Sequence, residues 1–373
     1  MMKQSVRQLK RVLLNVPGKG VGRKIVVLES DDWGSIRMPS RETYDYFQQE
    51  GLRVDRNPFN RFDALESDTD LDRLFDLLSS FRDAQGQHPV ITANFAMANP
   101  RFGPIGASGF SEYSWEPFTE TYERYPDHAQ AFSLVQKGME AGVFHPQFHC
   151  REHLNVPLWL QLLRAGNSTL LKAFAKDTFC VDVELPHLRR QNLMAAFDYA
   201  NAEDWNFIST SITEGLNLFE QVFGFRSKSL IAPCTVWDSR VEQLSASQGV
   251  GCLQSTLVQL VPQQGGKPFG TTYRFPGARN RFGQRYTVRN CYFEPSTIPH
   301  VDWVDHCLSQ MAAAFTTGKA AVICTHRLNF TGSIFPENRE SGLKLLHSLL
   351  KRTLAKWPDV SFVTTDQLYS LYK

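Results

Sequence analysis

The segment His145-Pro-Gln-Phe-His149-Cys-Arg-Glu-His153 packs three of the chain's ten histidines into nine residues. Imidazole binds zinc first, and also nickel, cobalt or iron; a spacing of four can present two rings to one ion on a helix or turn. Pro146 is unfavourable inside a helix but fits a first helical position. His145 with His149 is the pair expected to ligate, with His153 as a replacement for His145 or as support behind the ligands. The plainer alternative is a solvated turn in which one ring is hydrogen-bonded internally. A second concentration is Asp31-Asp32, within Glu29-Ser-Asp-Asp-Trp-Gly. Adjacent carboxylates repel, and burying both at a strand end is unfavourable without a cation. A divalent metal would offset the repulsion, one carboxylate ligating while the other stays free as a base. A dipeptide this short is by itself more readily a loop pair or a helix cap; the apolar run before it and Trp33-Gly34 after it argue for a strand end.

Other polar residues close apolar runs. His326 follows Ile323-Cys-Thr and is a candidate general acid, its ordinary pKa lying near ~6.5, although a lone histidine is often structural. Asn94 ends one run and Pro233 another. Arg289, Asn290 and Glu294 bracket a third; they suit orientation of a polar substrate or of a base, and equally an ordinary ion pair at a sheet edge. Trp33, Trp115, Tyr113, Phe102 and Trp237 offer faces on which a sugar ring could stack, core packing being the commoner use of such residues.

The elements that must position these groups alternate. Strand-like runs cover 24–29, 89–95, 142–148, 229–232, 250–253, 288–293, 320–324 and 360–364. Helix-like segments cover 41–50, 68–82, 118–141, 156–165, 188–200, 238–248, 301–317 and 338–357, with Ser40 and Asp68 as N-caps. This alternation predicts an α/β fold with parallel strands and outer helices, a distorted or incomplete (β/α) barrel, with a doubly wound open sheet as the alternative. In such a barrel the C-terminal strand ends share one face, where the polar residues above would converge. Residues 99–117 and 261–285, rich in glycine, proline and aromatics, read as long loops over that face. The expected organisation is an extension over 1–23 and one domain over 24–373.

The bulk numbers narrow the class. The chain has 373 residues, 42% hydrophobic and 21% charged, with 40 basic and 38 acidic residues and a net charge of +2. That is a globular composition with ample core material. No lysine-arginine run points to nucleic acid. Seven widely spread cysteines without a C-x-x-C pair fit reduced thiols, and so the cytoplasm. The apolar stretch at 12–16 is too short for a signal sequence. No run approaches the roughly 20 residues that span a bilayer.

In chain order, Asp31-Asp32, His145-x-x-x-His149, Ala232-Pro233 and Thr325-His326 resemble the motifs of the polysaccharide deacetylases of the NodB-homology type, carbohydrate esterase family 4. The approach Lys137-Gly-Met-Glu-Ala-Gly-Val-Phe-His and the closing Trp357-Pro-Asp-Val-Ser-Phe-Val-Thr-Thr-Asp-Gln-Leu are also similar to that family, over roughly residues 24–372. The resemblance implies a distorted (β/α) barrel that removes an N- or O-acetyl group from a saccharide or sugar conjugate. It makes Asp31 the base, Asp32, His145 and His149 the metal ligands, and His326 the acid. It also places an oxyanion-binding N–H near Cys234. Trp33, Asn94, Pro233, Arg289, Asn290 and Glu294 are then the residues expected along the substrate. The family's arginine before its third-motif proline is Ile231 here, with Arg289 or Arg327 as candidates for the missing positive charge. A glycosidase or transferase on a related barrel, or a carbohydrate-binding protein without catalysis, are the competing readings.

Overall fold

The computed structural model describes residues 2–183 and 192–372. Strand β1 (Ile25–Trp33) opens with a run of β-branched and aliphatic residues, and all nine of its residues are buried. That is the burial expected of a strand covered by helices on one face and enclosed on the other. It belongs to a sheet with β2 (Ile91–Ala96), β3 (Phe144–Cys150), β4 (Ser229–Ile231), β5 (Cys252–Thr256), β6 (Arg285–Arg289), β7 (Cys291–Tyr292) and β8 (Ala321–His326). The strand order is β6-β5-β4-β3-β2-β1-β8-β7, and every pairing in it is parallel. Only Asn290 separates β6 from β7. Its N–H donates to Val322 O and its Oδ1 accepts from Val322 N, so it carries the ladder across the break. One continuous stretch thus pairs with β5 at its start and with β8 at its end. The wall closes on itself as a parallel (β/α) barrel, nearly complete and irregular at that seam. A short β9 (Ser361–Phe362) pairs with the start of β1.

The barrel interior is polar. Glu29, Asn94, Gln147, Ser229, Gln254, Thr287 and Arg289 are buried there and hydrogen-bonded to one another in layers. The helix Thr365–Leu371 caps the N-terminal end: Thr365 N donates to Thr92 Oγ1, and its hydroxyl donates to Glu29 Oε1. The cleft that gathers the candidate site residues opens at the C-terminal ends of the strands. The main apolar core lies between the wall and the outer helices, where Phe95, Phe144, Phe148, Ile212, Leu216 and Phe219 pack together.

All eight strand-like runs are strands, with ends displaced by a few residues. The helical segments hold with three differences. Residues 118–141 form two helices, Phe118–Arg124 and Ala131–Glu140, with Pro126 in the break. Of the segment 188–200, residues 188–191 lie outside the described residues and the remainder forms turns. The helix of this region is Ala202–Phe223, whose buried Ile208, Ile212, Leu216, Phe219 and Phe223 recur at helical spacing. Ser40 caps its helix, but Asp68 is a first helical residue, and Ser67 is the cap in a capping box with Asp70. The loops 99–117 and 261–285 contain antiparallel pairs, Ala98–Pro100 with Trp115–Pro117 and Val258–Val261 with Gly270–Tyr273. Among the described residues no helix is long and apolar enough to cross a membrane.

Candidate metal centre and active site

Neighbouring strand residues point to opposite faces, so a pair such as Asp31-Asp32 should not reach one cavity. The end of β1 breaks that alternation. The register against β2 shifts between Ser30 and Trp33, and Asp32 has φ 77. Bulges of this kind re-aim side chains, and aspartate is among the few residues that enter the left-handed region readily. Asp31 keeps its place in the barrel beside His326, while Asp32 swings into the same cleft. Gly34, also at φ 77, completes the turn, and a Cβ there would lie 2.6 Å from Ala96 O.

The end of β3 is irregular too. Phe95 pairs with Phe148 and Ala96 with Cys150, leaving His149 out of the ladder. The turn that follows folds His153 back beside it, with ring centroids 4.8 Å apart. Asp32, His149 and His153 converge, all buried, with one ligand atom of each lying within 4.8 Å of the others. Asp32 Oδ1 is 3.5 Å from His149 Nε2 and 3.2 Å from His153 Nε2. The other ring nitrogen of His149, Nδ1, faces the carbonyl of Ile231 at 2.7 Å. In the neutral ring Nδ1 therefore carries the hydrogen, and Nε2 turns its lone pair toward a carboxylate oxygen. Neither Asp32 Oδ1 nor His149 Nε2 has a hydrogen-bond partner. Buried acceptors facing one another without a proton or cation between them are unfavourable. The donor set of one carboxylate and two imidazoles suits zinc or a similar divalent ion. Burial outweighs the pull of Asp32 and lowers the His153 pKa to about 3, which keeps this ring neutral.

The second oxygen of Asp32, Oδ2, accepts from Arg37 Nη2 at 3.1 Å. Arg37 Nε lies 3.2 Å from Asp63 Oδ2, Arg327 Nε donates to Asp63 Oδ1 at 3.1 Å, and Arg327 Nη1 donates to Glu66 Oε2 at 2.5 Å. Glu66 Oε1 in turn accepts from Gly34 N. This buried chain of alternating charge ties the loop bearing Asp32 to the turn that follows His326.

Asp31 is held differently. Arg289 Nη1 donates to its Oδ2 at 2.6 Å and Nη2 to its Oδ1 at 2.7 Å, while Asn94 Nδ2 adds a bond of 2.7 Å to Oδ1. Burial opposes ionisation, but Arg289 outweighs it and holds the Asp31 carboxyl well below the usual range. Arg289 Nε also donates to Glu29 Oε2. His326 stands 3.7 Å from Asp31 Oδ2 through Nε2, and its Nδ1 is 2.6 Å from Glu294 Oε1. Burial works against the imidazolium, yet Glu294, with Asp31 and Asp32, pushes His326 up to about 9. Glu294 is itself anchored by Asn329 Nδ2. Glu294, Cys324 and His326 form a second set with ligand-like spacing. Arg289 Nη1 lies 3.3 Å from Cys324 Sγ, however, and a guanidinium there opposes a cation.

These groups line a cleft of about 510 Å³, walled also by Asn57, Phe59, Leu158, Val181, Met194 and Thr235. The structure brings Asp31, Asp32, His149, His153, Arg289 and His326 together. It does not bring His145. That residue is in β3, four positions before His149, and four strand residues extend roughly 13 Å where one helical turn would have stacked them. His145 instead lies near the closed end of the barrel, 3.2 Å from Asp366 and stacked on Phe225. Trp33 is likewise removed from the cleft: it is 1% exposed, packs edge-on against Phe144 and donates to Ser30 Oγ. Asn290 turns outward to Asn15 and Ala320 O. Asn94 and Glu294 hold Asp31 and His326, and the buried Pro233 supports the turn Pro233–Thr235 on the cleft wall. Arg37 and Asp63 carried no sequence signal; neither ends a strand run or belongs to a spaced motif, and only their buried pairing reveals them.

No protein-family model matches the chain, and no curated protein matches it by sequence. Among solved structures it is similar to a candidate polysaccharide deacetylase from Mycobacterium smegmatis, at 12% identity over 94% of this chain and 91% of that one, with a TM-score of 0.45. A candidate glycoside hydrolase/deacetylase from Parabacteroides distasonis aligns at 9% identity, over 94% of this chain and 71% of that one, with a TM-score of 0.49. A 4-alpha-glucanotransferase from Thermococcus litoralis aligns at 10% identity, over 94% of this chain and 41% of that one, with a TM-score of 0.45. Likenesses at this level carry no functional argument, which rests on the geometry above.

Proposed function

We propose that the chain is a divalent-metal-dependent hydrolase that removes an acyl group, acetyl in the first instance, from a saccharide or sugar conjugate. The observation that carries this reading is the pair of partnerless buried acceptors, Asp32 Oδ1 and His149 Nε2, with His153 beside them. Asp32, His149 and His153 would hold the ion, which supplies Lewis acidity toward water and an acyl carbonyl.

The remaining groups divide the proton transfers. Asp31 takes the proton of the water that adds to the acyl carbon, and Arg289 and Asn94 fix its carboxylate for that role. His326, held by Glu294 and protonated at neutral pH, gives its proton to the departing nitrogen or oxygen as the acyl bond breaks. The products are a carboxylate and a free amine or hydroxyl. Cys234, at φ 55 in the turn on the cleft wall, offers its backbone N–H to the developing oxyanion. Arg289 fills the place of the arginine absent at Ile231, reaching Asp31 from β6. A glycosidase would need a protonated carboxyl. Asp31 is paired with Arg289, and Glu294 with His326 and Asn329, so neither is suited to that part.

The test is acetate release from a panel of acetylated glycans and sugar conjugates, with and without chelator. Release that chelator stops and added zinc restores is the expected result. Undiminished release in chelator would overturn the mechanism.

A further inference from the structure

The wall of the cleft is not evenly polar. Beyond the side chains assigned to the ion and the proton transfers, Asn57, Asp182, Thr235 and Thr256 line it and are exposed or half-exposed. Much of the rest is aliphatic. Leu158, Val181, Leu193 and Met194 line the cavity, and all four belong to or pack against an apolar cluster that also holds Val156, Trp159 and Leu163. Trp33, Phe102, Tyr113, Trp115 and Trp237, the aromatic residues that could have stacked on a sugar, are absent from this wall, which Phe59 alone supplies with a benzene ring among the described residues. Such a wall suits an aliphatic chain better than a sugar ring, whose hydroxyls would lose water there without gaining donors or acceptors.

Position decides which end of the substrate carries that chain. Met194 Sδ accepts from Arg37 Nη1 at 2.8 Å, and the same guanidinium donates to Asp32 Oδ2. Leu193 O accepts from the N–H of Asn155, in the turn just after His153, and Asn155 Oδ1 caps the helix that bears Leu158. The segment leading to Val181 is fastened by Thr178, whose hydroxyl donates to Arg37 O. The aliphatic residues are thus tied to the supports of the metal ligands. His326 stands apart from them, edge-on to Phe59 with ring centroids 5.2 Å apart, and beside Asp31. Its proton goes to the leaving atom, so the leaving group lies on the His326 side of the acyl carbon. The other substituent of that carbon points away from His326, along the side of the cleft where the aliphatic residues are.

We infer that the acyl group is an aliphatic chain longer than acetyl, lodged against Leu158, Val181, Leu193 and Met194, with the saccharide held toward Asn57 and Thr256. The inference rests on the hydrolase reading of the cleft, and the bond broken and the proton transfers are those given above. The test uses glucosamine N-acylated with acetyl, butanoyl, hexanoyl or octanoyl, and N-acetylglucosamine bearing an octyl group on its anomeric oxygen. Release of free amine is followed with the full chain and added zinc, and affinity is read by calorimetry on the chelator-treated chain. Both kcat/KM and affinity should rise about threefold per buried methylene along the N-acyl series, with little gain from the octyl glycoside. Leu158→Trp, which fills the cavity, should cut the preference for hexanoyl over acetyl by on the order of tenfold. Rates that fall with N-acyl length, or a gain from the octyl glycoside in place of the acyl series, would overturn the inference and leave the hydrolase intact. Affinity that rises along the series with no amine released would overturn the assigned reaction and sustain the apolar subsite; flat affinity with no amine released would overturn both.

Discussion

Asp31 and Glu294 are both carboxylates beside His326, yet their partners give them opposite tasks. Arg289 holds Asp31 as an anion, whereas Glu294 sustains a proton on His326. Because His326 is raised from its ordinary value to about 9, it stays protonated across neutral pH and loses its proton only on the alkaline side. Glu294→Gln removes the main charge responsible. The alkaline limb of the pH profile for acetate release should then move down toward the ordinary imidazole value of about 6.5. An unmoved limb would show that His326 is not the acid. The same shift bears on stability: a raised pKa contributes below the ordinary value, and that contribution is lost as pH rises through about 9. Arg289 is the other residue on which much depends. Arg289→Met leaves Asp31 and Glu29 buried without their common cation, and breaking such a pair costs about 3–5 kcal/mol. Urea unfolding should read a loss of that order; a change under about 1 kcal/mol would mean that the two carboxylates are relieved otherwise.

Strand ends decide which residues meet. The bulge at Asp32 and the turn at Gly34 bring two consecutive carboxylates into one cleft. Gly34→Ala would force φ 77 on a residue with a Cβ and press that Cβ to 2.6 Å from Ala96 O. Strain of this kind costs on the order of 1–3 kcal/mol, and activity should fall by more than stability alone explains, since the turn sets the position of Asp32. Normal activity with unchanged unfolding would show that the turn relaxes freely. The same strand ends mark how far sequence reading reaches. The eight apolar runs were legible because β-branched and aliphatic residues cluster in them, and barrel closure followed from their alternation with helices. Asp31, Asp32, His149 and His326 were legible as polar residues closing such runs. His145 was misplaced because a spacing of four means one turn in a helix but roughly 13 Å in a strand, and periodicity cannot distinguish the two for a segment containing Pro146. Arg37 and Asp63 were not legible, because their role arises only when separate loops are buried against each other.

On the scale of the whole molecule, the proposed ion would be linked to folding through the polar lumen and the buried chain from Asp32 to Glu66. A ligand that binds only the folded chain stabilises it by about 2.7 kcal/mol at a hundredfold excess over its Kd. Zinc should therefore raise the melting temperature of the chelator-treated protein, and His153→Ala should abolish that rise. The measurement closest to the central claim is bound metal per chain, by mass spectrometry of the dialysed protein, for wild type, Asp32→Ala, His149→Ala, His153→Ala and His145→Ala. We expect near-stoichiometric metal in wild type and in His145→Ala, and a loss of at least about tenfold in the other three. Metal lost in His145→Ala but kept in His153→Ala, or kept in every variant, would contradict the account.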